Sequence, residues 1–390
     1  MKMKLGLIVA SVLAVTLTFA QAPVATIPFE LCGDHIFIKV NVNGSKDLDY
    51  IFDTGDGLAI LDINRAAELG ISAGHDEVIT SAEGSISGKR VKHNEFLIGS
   101  APIHDVELHE TDLSHLEISI GRDIDGIIGY DLLKNYVVEL NYDTQEIKLF
   151  NPSGYSYMGT GKSYTIKMAA DKNPHITASV KLANGETVSG EFYVDTGAKT
   201  TVDFNSPFVE AKGLSGKVGK SYVYLVAGLG AKEYEHHRGK VNNFSMGDIT
   251  LEDMPVGLSH GKHGIQSSKK VAGIIGGGLL KKFNIVMDYQ KKKMYLEANS
   301  SFGEPFDIDA SGLELQLAKD KKTVLVHKVF NDSPAAAAGI KTNAVLNKVN
   351  GMDASEIGLA KLRSMLCASG DKVELVIDGK DVSLELKAML

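Results

Sequence analysis

One short word, Asp-Thr-Gly, occurs twice in the chain, each time closing an apolar, β-rich run: YIFDTGDGLAIL over 50–61 and FYVDTGAKTTV over 192–202. A second word follows each copy, Gly-Ile-Ile-Gly at 126–129 and again at 273–276, and each of these leads through Leu-Leu-Lys into a β-rich pair, VVELNYDTQEIKLF or NIVMDYQKKKMYLE. From the Asp to the first Gly of the second word is 73 residues in one copy and 78 in the other. Two words repeated in one order at nearly one spacing mark an internal duplication. A chain of this kind folds as two related units, and whatever chemistry one Asp performs is available as a pair.

Both copies are built of short β-rich runs separated by turn signals, among them FIKVNVNG, VITSAEGSISGKRV and ITASVKLANGETVSGEFYV. Asn184-Gly185 between alternating runs predicts a hairpin. The residues after each Gly-Ile-Ile-Gly predict one short helix leading into a hairpin, so each copy reads as a mainly antiparallel β lobe. A third unit follows the polar linker NSSFGEPFD: SGLELQL, TVLVHKVF, a Ser333-Pro334 start and Gly339 end framing a short helix, a second helix over EIGLAKLRSML, and the closing strands KVELVID and VSLELKA. It predicts a small β-rich module with two helices. At 390 residues the chain exceeds one ordinary core, and the expected division is a leader over 1–22, lobes over 23–154 and 155–299, and a module over 306–390.

The leader is read from Lys2 and Lys4, the apolar run Leu5 to Phe19, and the small residues Ala20 and Ala22, a pattern that suits an export signal with a cleavage site. No later run is long enough to span a membrane once it is removed, and the expected location is the periplasm or the extracellular space. Cys32 lies well past the apolar run without small residues before it, which argues against a lipid anchor. Two lysines and no acids leave with the leader, taking the formal charge from −8 to −10. That balance argues against nucleic acid or anionic membrane as the main partner. Cys32 and Cys367, the only cysteines, exclude a disulfide framework and read as buried or idle thiols rather than one long-range bridge.

Two carboxylates held face to face cannot both ionise cheaply, so one keeps a proton while the other stays charged. The charged one draws a proton from water, and the protonated one donates to a carbonyl oxygen. That is general acid-base hydrolysis of an amide by Asp53 and Asp195, without a covalent intermediate. Gly55 and Gly197 let the backbone turn tightly beside the carboxyls. Thr54 and Thr196 carry hydroxyls able to bond across a symmetric contact between the two loops, and Gly-Ile-Ile-Gly suits close packing behind each loop.

The two Asp-Thr-Gly words, each followed at matched spacing by its apolar-apolar-Gly segment, resemble the pepsin and retropepsin superfamily of aspartic proteases. The third unit resembles a PDZ domain, through SPAAAAGIKTNAVLNKVNG and through Gly312-Leu313-Glu314-Leu315 at the position of that family's carboxylate-binding loop. Together the chain is similar to secreted bacterial aspartyl proteases with a C-terminal PDZ domain. The resemblance implies a mainly β fold of two pepsin-like lobes and a small α+β PDZ domain. It also implies an aspartic endopeptidase acting on peptide or protein substrates with no cofactor and no metal, and needing no dimer because one chain supplies both aspartates. It further implies a PDZ groove for an extended C-terminal peptide, with Leu313 and Leu315 beside the terminal side chain and the EIGLAKLRSML helix as the other wall.

Four points stay open on sequence. Asp56, where relatives place Ser or Ala, raises the cost of ionising the dyad if it points inward and is harmless if it points outward. A hairpin closing over the substrate has two candidates, one around Ser81, Glu83 and Gly84 and one bearing Tyr222 and Tyr224, whose aromatic rings either cover substrate or pack a strand face. A catalytically inactive pair of lobes that only binds peptide or scaffolds a partner is the alternative to an enzyme. A PDZ domain that only tethers is the alternative to one that recruits. Other signals fall away: Gly159-Thr-Gly161-Lys162-Ser163 lacks the earlier glycine of a phosphate loop, and His236-His237 with His260 and His263 read as exposed loop residues.

Overall fold

The apolar approach to each Asp-Thr-Gly forms a strand buried in the centre of a sheet. In the computed structural model, which describes residues 21–71, 74–81, 84–168, 172–230 and 232–390, these strands are Leu48–Phe52 and Thr187–Asp195. The first lobe is an eight-stranded sheet in the order Glu30–Cys32, His35–Val42, Leu48–Phe52, Gly126–Ile128, Ala59–Asp62, Ala101–Thr111, Gly84–Ile98, His75–Ser81. The second lobe repeats that order with Lys167–Met168, Pro174–Lys181, Thr187–Asp195, Gly273–Gly276, Val202–Phe204, Ile249–Ser259, Glu233–Met246 and Tyr222–Ala227. Each sheet curls until its second strand also pairs its seventh, through Val42↔Phe96 in one lobe and Val180↔Phe244 in the other. The duplication in sequence is a duplication in topology.

The Gly-Ile-Ile-Gly words do more than pack behind the loops. They are strands, inserted parallel to the Asp-bearing strand with Tyr50↔Gly126 and Phe192↔Gly273, which puts parallel ladders inside otherwise antiparallel lobes. Their glycines are demanded by close approach: a Cβ on Gly129 would run into the carbonyl of Asp53, and one on Gly276 into that of Thr200. The residue three before each Asp anchors the strand from below. Tyr50 stacks edge-on against Phe96 at 5.8 Å and Phe192 against Phe244 at 5.7 Å, in matching positions of the two cores. All four rings are fully buried, and burial of such side chains is worth roughly 1.5–3 kcal/mol each.

The short helices after the second words, Tyr130–Leu133 and Gly277–Leu280, lead into hairpins as expected. Those hairpins pair with each other through Val138↔Met287 and Leu140↔Ile285, at the centre of a six-stranded sheet that joins the lobes. The hairpin at Asn184-Gly185 forms, with Gly185 at φ 85°.

The third unit holds a two-stranded sheet, Leu313–Leu317 with Val324–Val329, and a four-stranded one around Lys372–Ile377. Ser333 caps the helix Pro334–Ala337 through Ala336 N–H, and Gly339 closes the turn at φ 75°. The single helix expected over EIGLAKLRSML is two, Ala354–Ile357 and Leu359–Met365, because Gly358 sits at φ 83° and breaks the run. The unit therefore has three short helices rather than two. No helix among the described residues is long and apolar enough to cross a membrane. The leader reading falls almost wholly on residues outside the described ones.

Candidate active site

The two Asp-Thr-Gly turns meet at the lobe interface and lock each other. Thr54 N–H donates to Thr196 Oγ1 at 3.0 Å, and Thr196 N–H donates to Thr54 Oγ1 at 3.1 Å. Each hydroxyl in turn donates across the interface, Thr54 to Val194 O at 2.7 Å and Thr196 to Phe52 O at 2.9 Å. Both threonines are buried, so all four bonds are shielded from water.

The lock brings the carboxyls of Asp53 and Asp195 into a shared hydrogen bond. Gly55 and Gly197 are required here by space: a Cβ on Gly55 would fall into the Asp195 carboxyl, and one on Gly197 into that of Asp53. The surroundings of the pair are unequal. Asp195 Oδ1 accepts from the amides of Gly197 and Ala198, both at 2.9 Å, whereas Asp53 Oδ1 accepts only from Gly55, at 2.7 Å. Burial raises the proton affinity of both groups. For Asp53 the neighbouring Asp195 and Asp56 raise it further, well above the carboxylate range, while for Asp195 the hydrogen bonds from Asp53 and the two amides oppose the rise. Asp195 Oδ1 thus accepts one backbone N–H more than Asp53 Oδ1, which favours the charged form at Asp195.

Asp56 turns inward. Its backbone carbonyl accepts from Tyr130 N–H at 3.0 Å, as that of Ala198 accepts from Gly277 in the other lobe, and its Oδ1 accepts from Leu58 N–H at 3.2 Å. Its Oδ2 is buried without a partner. Burial pushes its proton affinity up to about 8, Asp131 and Asp195 adding to the rise while the Leu58 amide and Lys172 oppose it. The inward carboxyl adds to the proton affinity of Asp53, the electrostatic cost expected of that position, and its own raised proton affinity limits the charge it carries near neutral pH.

Both candidate flaps exist as hairpins and their tips approach one another. A Cβ on Gly230 would lie 3.3 Å from Ile86 Cγ2 and one on Gly84 would lie 3.7 Å from the Tyr234 hydroxyl. Ser81 is buried at the first tip, and Glu83 lies outside the described residues. Tyr222 and Tyr224 stand on a strand of the second hairpin, away from its tip. Tyr224 donates to Asp203 Oδ1 at 3.0 Å in a buried cluster with Thr200 and His236, and Tyr222 packs its ring 5.1 Å from Phe330 of the third unit. Both rings pack in this way and both also line the space that holds Asp53 and Asp195. His236, read as an exposed loop residue, is fully buried on the strand Glu233–Met246.

The third unit docks on the lobes through Lys321 to Glu117 and Asp123 at 2.8 Å each, Lys328 to Glu235 at 3.3 Å, and Arg363 Nη2 to the carbonyl of Ser119 at 2.6 Å. Docking closes a chamber of about 1190 Å³ whose walls include Asp53, Asp195, Asp56 and Ser81 from the lobes, and Leu313, Glu314, Leu315 and Arg363 from the third unit. Cys32 and Cys367, from opposite ends of the chain, reach the same chamber as free thiols. Of the expected carboxylate loop, only Gly312, at φ 79°, is a turn; Leu313, Glu314 and Leu315 already belong to the strand, with both leucines in the core of the unit. Sequence reasoning passed over Lys199, Arg238 and Arg363, which line the chamber too, because only the docking of distant segments brings them together.

The chain is thus a two-lobed β fold with an interlocked Asp-Thr-Gly pair, followed by a unit with a strand-and-helix groove. Residues 38–132 match the family model for aspartyl protease, and residues 309–378 match that for the PDZ domain. A comparison with curated proteins gave no match. The chain thus carries an aspartyl protease domain and a C-terminal PDZ domain.

Proposed function

We propose that the protein is an exported aspartic endopeptidase in which Asp53 and Asp195 activate a water for attack on a peptide bond. The observation that carries this reading is the reciprocal threonine lock, which holds two buried carboxyls in hydrogen-bond contact with unequal proton affinities. Asp195 accepts a proton from the water as its oxygen bonds to the carbonyl carbon, and Asp53 gives its proton to the carbonyl oxygen. Collapse of the tetrahedral species breaks the C–N bond, the amine leaves with a proton from Asp195, and the new acid returns a proton to the dyad. No covalent enzyme intermediate forms. One chain supplies both groups, so the reaction requires no dimer. What supports export is the sequence pattern of Lys2 and Lys4, the apolar run Leu5 to Phe19 and the small residues Ala20 and Ala22.

The test is cleavage of an unstructured polypeptide by the mature protein across roughly pH 3–8, the range in which carboxyl dyads titrate. Fragments are expected somewhere in that range, and their absence throughout, from folded protein, would leave the scaffold reading in possession.

Asp56 yields a separate prediction. Between the ordinary carboxylate value of 3.8 and about 8, the folded chain holds a proton on Asp56 that the unfolded chain releases. Stability attributable to this group therefore falls as pH rises through that window. Asp56→Asn, which keeps the shape without the charge, is expected to melt with the wild type near pH 4 and above it near pH 8, by several degrees. Melting curves against pH check this, and parallel curves would place Asp56 in contact with water.

A further inference from the structure

The face of the first lobe that bears Asp53 also bears a row of apolar side chains. Ile51 precedes Asp53 by two residues, and Asp53 N–H carries the ladder on to Ile128 O at 2.9 Å, so both side chains leave the sheet on one face. Strand pairing extends the row: Ile51 pairs with Phe37 on one side and Ile127 on the other, and Ile127 pairs with Ile60. These four belong to one apolar cluster with Ile120, and Ile51, Ile127 and Ile120 line the chamber beside Asp53. In the second lobe the matching row is mixed. Tyr193, two residues before Asp195, pairs with His175 and Ile274, and Ile274 pairs with Asp203. Only the row of the first lobe is apolar throughout.

That row is covered by the chain itself. The hairpin of strands Tyr222–Ala227 and Glu233–Met246 belongs to the second lobe, yet its tip crosses to the first, where Leu229 packs on the apolar cluster. The preceding carbonyl, Gly228 O, accepts from His115 Nε2 at 3.2 Å, which ties the tip to the helix Ser114–Ile120 of the first lobe. On its other side Gly230 abuts the opposite hairpin, where a Cβ would lie 3.3 Å from Ile86 Cγ2 and 3.7 Å from Ser81 Oγ. Leu229 stands between these two glycines and lines the same chamber as Asp53 and Asp195. A leucine from one lobe thus sits on the apolar row of the other.

We infer that Leu229 is an internal plug: it holds the place of a substrate side chain on the row beside Asp53, and the hairpin must withdraw it before a peptide reaches the dyad. This rests on the protease reading above. Ile51 lies roughly 7 Å along the strand from Asp53, about two residues of extended peptide, so a side chain close to the scissile bond falls on the ground that Leu229 covers. Withdrawing the leucine exposes both it and the row to water, which disfavours the open state. A site that is competent only while the tip is lifted binds every peptide more weakly by one common factor. Leu229 as a direct substrate contact would have the opposite consequence, since its removal would then weaken binding.

The experiment titrates full-length Asp195→Asn protein, which cannot consume its ligand, with fluorescent unstructured peptides, with and without Leu229→Ser. Cleavage rates are measured in parallel on proteins that keep Asp195. Leu229→Ser is expected to bind the peptides about tenfold more tightly and to raise kcat/KM by a similar factor, through KM rather than kcat. His115→Ala, which frees the tip and leaves the row intact, is expected to move both quantities in the same direction by less. Unchanged or weaker peptide binding by folded Leu229→Ser would overturn the inference, and Asp195-dependent cleavage would still uphold the protease reading. Tighter binding without Asp195-dependent cleavage of any peptide would uphold the plug and overturn the protease reading. If Leu229→Ser does not fold, His115→Ala decides by the same criterion.

Discussion

Replacing Asp195 by Asn is expected to lower the rate of peptide hydrolysis by at least about a thousandfold, and Asp53→Asn to do the same, because the two carboxyls act as one unit and neither retains half of the function. Asn keeps the volume and an acceptor for the amides of Gly197 and Ala198 or of Gly55, so the lobes remain packed. Each substitution also removes a buried group whose proton affinity is raised, so the melting temperature at neutral pH is expected to equal or exceed that of the wild type. Rates measured beside melting curves separate loss of chemistry from loss of fold. A folded variant within tenfold of wild-type activity would remove the dyad from the mechanism.

The second large effect belongs to the lock between the lobes. Thr54→Val keeps the shape of the side chain and deletes a hydroxyl that accepts from Thr196 N–H and donates to Val194 O. A buried donor and a buried acceptor lose their partners at a cost of about 1–3 kcal/mol each, and Thr196→Val does the same to Thr54 N–H and Phe52 O. Each single variant is expected to lose roughly 2–5 kcal/mol of stability and most of its activity. The double variant should lose less than the sum, since each hydroxyl serves the other's loop. Denaturant unfolding of the four proteins measures the coupling. Strict additivity would mean that the loops do not hold one another.

Much of this was legible in the sequence for a definable reason. The repeated words, the strands before them, the helices after them and the capped turn at Ser333 are local features, and local chemistry determines them. Readings failed or stayed open where the answer depended on distant segments. Gly-Ile-Ile-Gly became a parallel strand because it inserts between strands from elsewhere in its lobe, such as Leu48–Phe52 and Ala59–Asp62. Asp56 turned inward beside Tyr130, and Tyr222 found Phe330, more than a hundred residues away. His236 carried no local mark of burial, since its partner Asp203 comes from another strand. The break at Gly358 was local and readable. The periodicity of leucines around it masked a glycine whose φ is positive. Lys199 and Arg363 stand on different domains, and nothing near either in sequence points to the other.

The central claim, that a water activated between Asp53 and Asp195 cleaves the peptide bond, is tested most directly with a peptide in which a hydroxyethylene group replaces the scissile amide. Such a group places a hydroxyl where the attacking water sits and cannot be cut. The account expects it to stop cleavage by the wild-type protein and to bind at least about a hundredfold more tightly than the parent peptide, with that advantage lost in Asp195→Asn. Cleavage that continues undiminished at saturating isostere, or isostere binding equal in wild type and Asp195→Asn, would contradict it.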